Sequence, residues 1–171
     1  MKVCKGGCGK KPAMWIDSGI HAREIIGPAV NTWMLNELVE KEEDHPDLLD
    51  KLDWYFLPLF NPDGYFRVRE GDRMWRKTTS HYPGLKCIGT DANRNWDFHW
   101  GEPGSSSDSC NDIFSGPEPF SEVENRNVAA FLTAHRDQIK FYMTLHSRGQ
   151  MIFIPWGHTK KSVPAGKALT A

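Results

Sequence analysis

Residues 13–24 read AMWIDSGIHARE, and they contain the pattern from which the fold is predicted. Its first part, Ala13–Ser18, is a short apolar run that stops at Gly19, which is typical of a buried β-strand. From Glu24 onward apolar residues recur every three or four positions, the spacing of a helix with one buried face. The sequence therefore predicts a strand over 13–18 and a helix over about 24–41, with apolar positions at Ile26, Val30, Trp33, Met34 and Leu38.

The rest of the chain continues this alternation of strands and helices. The predicted elements are a strand over 53–60 (DWYFLPLF), a turn at 61–64 (NPDG), an irregular region over 66–118, a helix over about 122–138, and strands over 140–145 and 151–155. The second helix is predicted from a capping box formed by Ser121 and Glu124. Alternation of this kind indicates an α/β fold, in which ligands bind beyond the carboxyl ends of the strands.

Length and composition exclude several classes of protein. The 171 residues suit one domain, and 21 basic against 22 acidic residues leave a net charge of −1. Such a balance generates no overall field that would attract nucleic acid or an anionic membrane. The mean hydropathy of −0.55 and the lack of a long apolar run exclude a membrane-spanning segment. We therefore expect neither nucleic acid nor a membrane among the partners.

Potential metal ligands follow two of the predicted strands. His21 and Glu24 come after the first strand, and His146 directly follows the strand over 140–145. Two imidazoles and a carboxylate form the three-ligand set of a catalytic zinc ion that keeps its fourth position open. His-x-x-Glu is a weak signal by itself, but a third ligand at another strand end strengthens it. Surface or capping positions are expected for His45, His81, His99, His135 and His158.

The irregular region carries a second group of polar residues. Its segment DANRNWD begins at Asp91 and places Asn93 and Arg94 between carboxylates. A guanidinium matches a carboxylate, so Arg94 with Asn93 could bind the free carboxylate of a substrate, and Arg76 could stabilise an oxyanion. The alternative is an ion pair of Arg94 with Asp91 or Asp97. A zinc site, a carboxylate-binding pair and an oxyanion donor together indicate removal of a C-terminal residue from a peptide.

The four cysteines fall into two pairs. Cys87 and Cys110 bracket a segment rich in Gly, Ser, Asp and Asn, and either a disulfide or two reduced thiols fits that pattern. Cys4 and Cys8 form half of a metal site at most, and no second pair has zinc-ribbon spacing. Their role is not decided by the sequence.

The chain resembles the pancreatic-type metallocarboxypeptidases, the carboxypeptidase A/B family, from about Pro12 to Gly157. The matching segments, which occur in the family's order, are Trp15–Glu24, Asn61–Gly64, Trp75–Thr78, Asp91–Asp97 and Leu145–His146–Ser147. The resemblance implies a mixed sheet flanked by helices, of the carboxypeptidase A type found in zinc-dependent exopeptidases. The expected activity is hydrolysis of the C-terminal peptide bond through a zinc-activated water.

The resemblance also implies a role for individual residues. One zinc ion would be bound by His21, Glu24 and His146. Arg76 would polarise the scissile carbonyl, while the substrate would be bound by Asn93, Arg94 and Arg23. Cys87 and Cys110 would form the family's disulfide. The implied partner is a peptide or protein with a free C-terminus, and a secreted monomer is expected.

Two departures from the family, one at each end of the chain, lead to further expectations. Residues 1–11 do not resemble the family's first strands, so we expect a partial catalytic domain over 12–171. The family's catalytic Glu, its substrate-capping Tyr and the residue that sets side-chain preference lie further downstream than residue 171. We therefore expect an incomplete fold with very weak activity or none. The alternative function is a zinc- or peptide-binding remnant without catalysis.

Overall fold

The elements of the fold follow the predicted alternation of strands and helices. The structure, a computed structural model, describes residues 1–159 and 161, so part of the predicted domain over 12–171 lies outside the described residues. Its strands are β1 (Lys2–Val3), β2 (Ala13–Ser18), β3 (Asp53–Leu57) and β4 (Ile139–Leu145); its α-helices are α1 (Ile26–Glu40), α2 (Pro46–Lys51), α3 (Pro62–Arg69) and α4 (Val123–Ala134). Short 3-10 helices occur at Glu42–Asp44 and Ala92–Arg94. In the described part of the chain, no helix has the length and apolar character needed to cross a membrane.

The four strands form one mixed sheet in the order β1-β3-β2-β4. Strand β2 lies between β3 and β4 and runs parallel to both, while β1 pairs antiparallel with β3. Five of the six residues of β2 are buried, as expected for a strand covered on both faces. Ser18 pairs with Leu145, so the carboxyl ends of β2 and β4 lie side by side. The predicted mixed sheet flanked by helices is confirmed.

Helices cover both faces of the sheet because successive side chains of each strand point to opposite sides. On one face, Trp15 and Tyr55 pack with Val128 and Phe131 of α4. On the other face the core consists of Ile16, Leu38, Leu49, Trp54 and Phe56, which brings α1 and α2 onto the sheet. The two cores hold β2 rigidly between them and thereby fix the loops that leave its carboxyl end.

The predicted turn at 61–64 is wrong, because α3 begins there. The side chain of Asn61 accepts a hydrogen bond from the Gly64 N–H at 2.9 Å, and Pro62 occupies the first helical turn. Asn and Pro are favoured both in turns and at helix starts, so this signal is ambiguous in the sequence. The preceding strand ends at Leu57, before its predicted end at 60, because Pro58 has no N–H to donate to the sheet.

Two other local predictions are also wrong. Glu122, which follows Ser121, is the N-cap of α4, and no side-chain hydrogen bond caps the helix, so the capping box does not form. Residues 151–155 adopt no strand, and the Ile152 and Phe153 side chains are exposed. An apolar run becomes a strand only when a neighbouring strand can pair with it, and no described residue pairs with this one.

Both cysteine pairs are disulfide-bonded in the structure. The bond between Cys87 and Cys110 closes the irregular region, with the two Cα atoms 5.0 Å apart. Cys4 and Cys8 are also joined, with a Cα–Cα distance of 5.5 Å, and they close a short loop between β1 and β2. The Cys4–Cys8 bond therefore gives these two cysteines a structural role, which the sequence had left undecided.

A buried carboxylate attaches the irregular region to α4. Glu122 is only 2% exposed, and its oxygens accept hydrogen bonds from the hydroxyls of Thr78 at 2.6 Å, Ser80 at 2.7 Å and Tyr82 at 2.7 Å. Burial alone would raise the pKa of Glu122, but the hydroxyl donors outweigh burial and lower the pKa below its ordinary value. The ionised side chain therefore stabilises the folded state.

Replacing Glu122 with alanine is expected to lower the free energy of unfolding by about 3 kcal/mol, because four hydroxyls, those of Thr78, Ser80, Tyr82 and Ser121, lose a charged acceptor. Chemical denaturation measures this change, with Glu118→Ala, at an exposed neighbouring carboxylate, as the control. Because the folded pKa is lowered, the difference is complete above the ordinary carboxyl pKa of 4.5 and declines as the pH falls toward the folded pKa. Equal stability of both variants at neutral pH would contradict the assigned role.

Candidate functional site

The candidate metal ligands meet because β2 and β4 end side by side. His146 directly follows β4, and His21 lies three residues beyond β2. The carbonyl of His21 accepts a hydrogen bond from the Glu24 N–H at 3.1 Å, and this turn directs both side chains toward His146. Gly27 allows the close approach of α1, since a Cβ atom there would lie 3.1 Å from the Leu145 carbonyl oxygen.

The ligand atoms of these three residues form a compact cluster. Nδ1 of His21 lies 3.0 Å from Oε1 of Glu24, and Nδ1 of His146 lies 2.9 Å from Oε2 of the same carboxylate. The two Nδ1 atoms are 3.2 Å apart. Within residues 1–159 and 161, this is the single group of three or more His, Cys, Asp or Glu residues whose ligand atoms all lie within 4.8 Å of one another.

The chemistry of this donor set fits zinc. Nε2 of His21 lies 3.2 Å from Oδ1 of the buried Asp91, so the ring donates its proton there and leaves the Nδ1 lone pair for a metal. Burial alone would raise the pKa of Glu24, but the hydrogen bonds with His146 and His21 lower it far below its usual range. One ionised carboxylate and two imidazole nitrogens therefore face a common point.

The predicted carboxylate-binding residues line a larger cavity of about 680 Å³. Asn93 and Arg94 belong to the 3-10 helix that follows Asp91. Arg94 donates from Nε to the Gly104 carbonyl at 2.7 Å and from Nη1 to the Asn93 carbonyl at 3.1 Å. The alternative interpretation was an ion pair of Arg94 with Asp91 or Asp97. Arg94 forms no such pair with either aspartate in the described part of the chain. The aromatic side chains lining this cavity are Trp96, Phe98, Trp100, Tyr142 and Trp156.

Arg76 and Arg23 line a second, smaller cavity of about 430 Å³ together with Glu24. Arg76 donates to Oδ2 of Asp91 from Nη2 at 2.8 Å and from Nε at 3.2 Å. Arg23 donates from Nη1 to the Met74 carbonyl and to a carboxylate oxygen of Asp112, each at 3.1 Å. The predicted oxyanion donor and the predicted upstream substrate contact therefore lie on the same side of the candidate metal centre.

Comparison of the chain with sequence models of protein families identifies its family. The sequence model of the zinc carboxypeptidase family, Peptidase M14, matches residues 2–170. The chain belongs to the zinc carboxypeptidase family. The matched range includes residues 2–11, whereas the resemblance noted in the sequence began only at about Pro12. In the structure, strand β1 of this segment pairs with β3.

Individual members of the zinc carboxypeptidase family show the extent of the similarity. Carboxypeptidase B of Astacus astacus is 48% identical over 160 residues, which are 93% of this chain and 52% of that protein. Carboxypeptidase A2 of Mus musculus is 44% identical over 153 residues, covering 88% of this chain and 36% of that protein. The chain thus spans about half, or less, of the length of these relatives.

Solved structures of related proteins have the same fold. Bovine thrombin-activatable fibrinolysis inhibitor, solved in complex with tick carboxypeptidase inhibitor, matches with a TM-score of 0.90 and 40% identity, covering 98% of this chain and 55% of that one. A second structure of thrombin-activatable fibrinolysis inhibitor gives a TM-score of 0.93 at 41% identity, over 98% and 43% of the two chains. The expected carboxypeptidase-type fold is therefore confirmed.

Asp91 lies at the candidate metal centre, a position that the sequence pattern did not predict. It is fully buried and contacts His21, Arg76 and the backbone N–H of Asn93, the last at 2.9 Å. Burial alone would raise its pKa, but the hydrogen bond with His21 and the charge of Arg76 lower it. Metal-binding histidines commonly donate their second N–H to a carboxylate. An aspartate is therefore a residue type that could have indicated a supporting role for position 91.

Replacing Asp91 with asparagine is expected to weaken zinc binding by about 10- to 100-fold, because His21 loses the charged acceptor that sets its tautomer and ring orientation. Competition with a chromophoric chelator measures the affinity. Asp97→Asn is the matched control, because it changes an exposed carboxylate in the same segment. Equal zinc affinities in the two variants would show that Asp91 does not support His21.

Proposed function

We propose that this chain provides the zinc-binding and substrate-carboxylate-binding part of a metallocarboxypeptidase that hydrolyses the C-terminal peptide bond of peptides and proteins. One observation carries the proposal. Oδ1 of Asp91 accepts hydrogen bonds from the metal-ligand candidate His21 and from the backbone N–H of Asn93. This carboxylate thereby fixes the metal centre relative to Asn93 and Arg94, as a reaction at one end of a peptide requires.

The proposed mechanism assigns one zinc ion to His21, Glu24 and His146. When bound, zinc supplies a Lewis acid that acidifies a water molecule and polarises the scissile carbonyl. Asn93 and Arg94 bind the terminal carboxylate of the substrate and so place the last peptide bond at the metal centre. Arg76, oriented by Asp91, donates to the carbonyl oxygen as negative charge develops there. Arg23 contacts the substrate further toward its amino end.

The proposed partner is a peptide or protein with a free C-terminus, bound by a secreted monomer. Support for this partner comes from the solved relative that is bound to a carboxypeptidase inhibitor. Support for an extracellular location comes from the bonds Cys4–Cys8 and Cys87–Cys110, since disulfides persist in oxidising compartments.

Peptide binding tests the proposal independently of turnover. The zinc-loaded chain is titrated in a calorimeter with acetyl-Ala-Ala-Phe and with the same peptide carrying a C-terminal amide. We expect the free carboxylate to bind at least about 10-fold more tightly, because the amide offers no charged acceptor to Arg94. Equal affinities for the two peptides would contradict a carboxypeptidase site.

A second candidate function is zinc-dependent peptide binding without hydrolysis. The observation that favours it is the hydrogen bonding of the carboxylates at the cluster. Glu24 and Asp91, the two described carboxylates in contact with the ligand imidazoles, are both occupied by them, and neither is free to take a proton from water. Release of phenylalanine from the acetylated peptide, abolished by a chelator, would exclude this candidate. Tight binding without any release would support it.

A further inference from the structure

The smaller cavity is lined by four arginines. They are Arg23, Arg73, Arg76 and Arg148, and the remaining lining residues are Glu24, Met74 and Ser147. These side chains come from three separate parts of the chain: the loop after β2, the segment between α3 and Cys87, and the loop after β4. The fold therefore concentrates guanidinium groups beside the candidate metal centre.

The positive charge of this cavity is only partly balanced by the protein. Arg23 pairs with Asp112 at 3.1 Å, and Arg76 pairs with the buried Asp91 at 2.8 Å. Arg73 uses Nη1 to donate to the Arg23 carbonyl at 3.0 Å. Neither Arg73 nor Arg148 forms a salt bridge with a carboxylate of residues 1–159 and 161. An anionic group of the ligand would therefore find unpaired guanidinium groups here.

Arg148 is the most available of these groups. It lies two residues after His146 and is exposed, and its backbone adopts a φ of 79°, in the left-handed region. No hydrogen bond joins its side chain to another described residue, whereas the other three arginines each donate to a protein oxygen. Its guanidinium can therefore turn toward a ligand without breaking a contact within the protein.

The position of the cavity determines which part of a peptide it contacts. It shares no lining residue with the larger cavity, where Asn93 and Arg94 lie, and it contains the metal ligand Glu24. A peptide whose terminal carboxylate lies at Asn93 and Arg94 must place its last peptide bond at the metal centre. The residues before that bond then extend toward the arginine-lined cavity.

We propose that this cavity selects peptides with acidic side chains on the amino side of the scissile bond, and that Arg148 is the specificity-determining residue. The inference rests on the proposed function for the orientation of the peptide. Its chemical basis is the match between a carboxylate and a guanidinium, which a neutral amide of the same shape does not provide.

The test compares three peptides on the zinc-loaded full chain by calorimetry: acetyl-Glu-Glu-Phe, acetyl-Gln-Gln-Phe and acetyl-Lys-Lys-Phe. We expect the Glu peptide to bind about 10-fold more tightly than the Gln peptide, and the Lys peptide to bind most weakly. Arg148→Gln should reduce the Glu-to-Gln ratio to about 3-fold or less. Arg136→Gln is the matched control, since it removes the same charge at an exposed position before β4, and it should retain the full ratio.

The outcomes separate this inference from the proposed function. Equal affinities for the Glu and Gln peptides would overturn the inference, and an unchanged ratio in Arg148→Gln would overturn the role of Arg148. A preference for free carboxylate over amide would persist in both of these cases if the proposed function is correct. Conversely, a Glu preference accompanied by equal affinities for the free and the amidated Glu peptide would support the acidic selectivity and contradict the carboxypeptidase site.

Discussion

Replacing His146 with alanine is expected to weaken zinc binding by more than about 100-fold. Loss of a residue that only hydrogen-bonds to a metal ligand costs about 10- to 100-fold in affinity, and loss of the ligand itself should cost more. The reason is geometric. His146 is the one ligand candidate that β4 contributes, and its Nδ1 lies 2.9 Å from Glu24 and 3.2 Å from Nδ1 of His21. Without it, two protein ligands remain, too few for a stable zinc site.

Zinc affinity is measured by competition with a chelator, and stoichiometry by elemental analysis after gel filtration. The matched control is His81→Ala, which removes an exposed imidazole from the irregular region. We expect this control to retain one zinc ion per chain with wild-type affinity. Zinc binding that survives His146→Ala, or that disappears in His81→Ala, would place the metal elsewhere.

Replacing Arg94 with alanine is expected to weaken the binding of acetyl-Ala-Ala-Phe by about 100-fold, because the terminal carboxylate loses a paired guanidinium. Arg94 is suited to this role since it lines the larger cavity and pairs with none of the described carboxylates. The amidated peptide should bind the variant and the wild type equally. Calorimetric titration of both peptides into both zinc-loaded proteins measures the effect.

A matched control separates the role of Arg94 from a general loss of positive charge. Arg136→Ala removes an exposed arginine near the amino end of β4 and should leave both affinities unchanged. A thermal melt identifies any unfolding, because Arg94 also donates to the Gly104 carbonyl. If a folded Arg94→Ala protein loses affinity for the free and the amidated peptide to the same degree, Arg94 does not bind the terminal carboxylate.

The sequence predicted the parts of the fold whose signals are local. Strand β2 has its predicted bounds of 13–18, because a short apolar run that stops at a glycine has few other interpretations. The helix predicted over 24–41 is α1, which starts at Ile26 and ends at Glu40. His21, Glu24 and His146 are brought together as expected, because the carboxyl ends of parallel neighbouring strands share one edge of the sheet.

The features that the sequence did not predict depend on contacts between distant residues. Asp91 lies 70 positions from His21, and their hydrogen bond forms only when the irregular region folds over the end of β2. Glu122 looks like a surface residue at a helix start, yet hydroxyls about 40 positions earlier make it a buried acceptor. Composition and spacing do not predict hydrogen bonds between residues so far apart in the sequence. Either partner could form its hydrogen bonds with water instead.

X-ray absorption at the zinc edge of the loaded chain measures whether His21, Glu24 and His146 form one zinc site. We expect one zinc ion with two imidazole nitrogens and carboxylate or water oxygens, all at about 2.0–2.2 Å, with no sulfur neighbour. In His146→Ala one imidazole should be lost from the spectrum of any zinc that still binds. A sulfur neighbour at about 2.3 Å, or fewer than two imidazoles in the wild type, would show that these three residues do not form the zinc site.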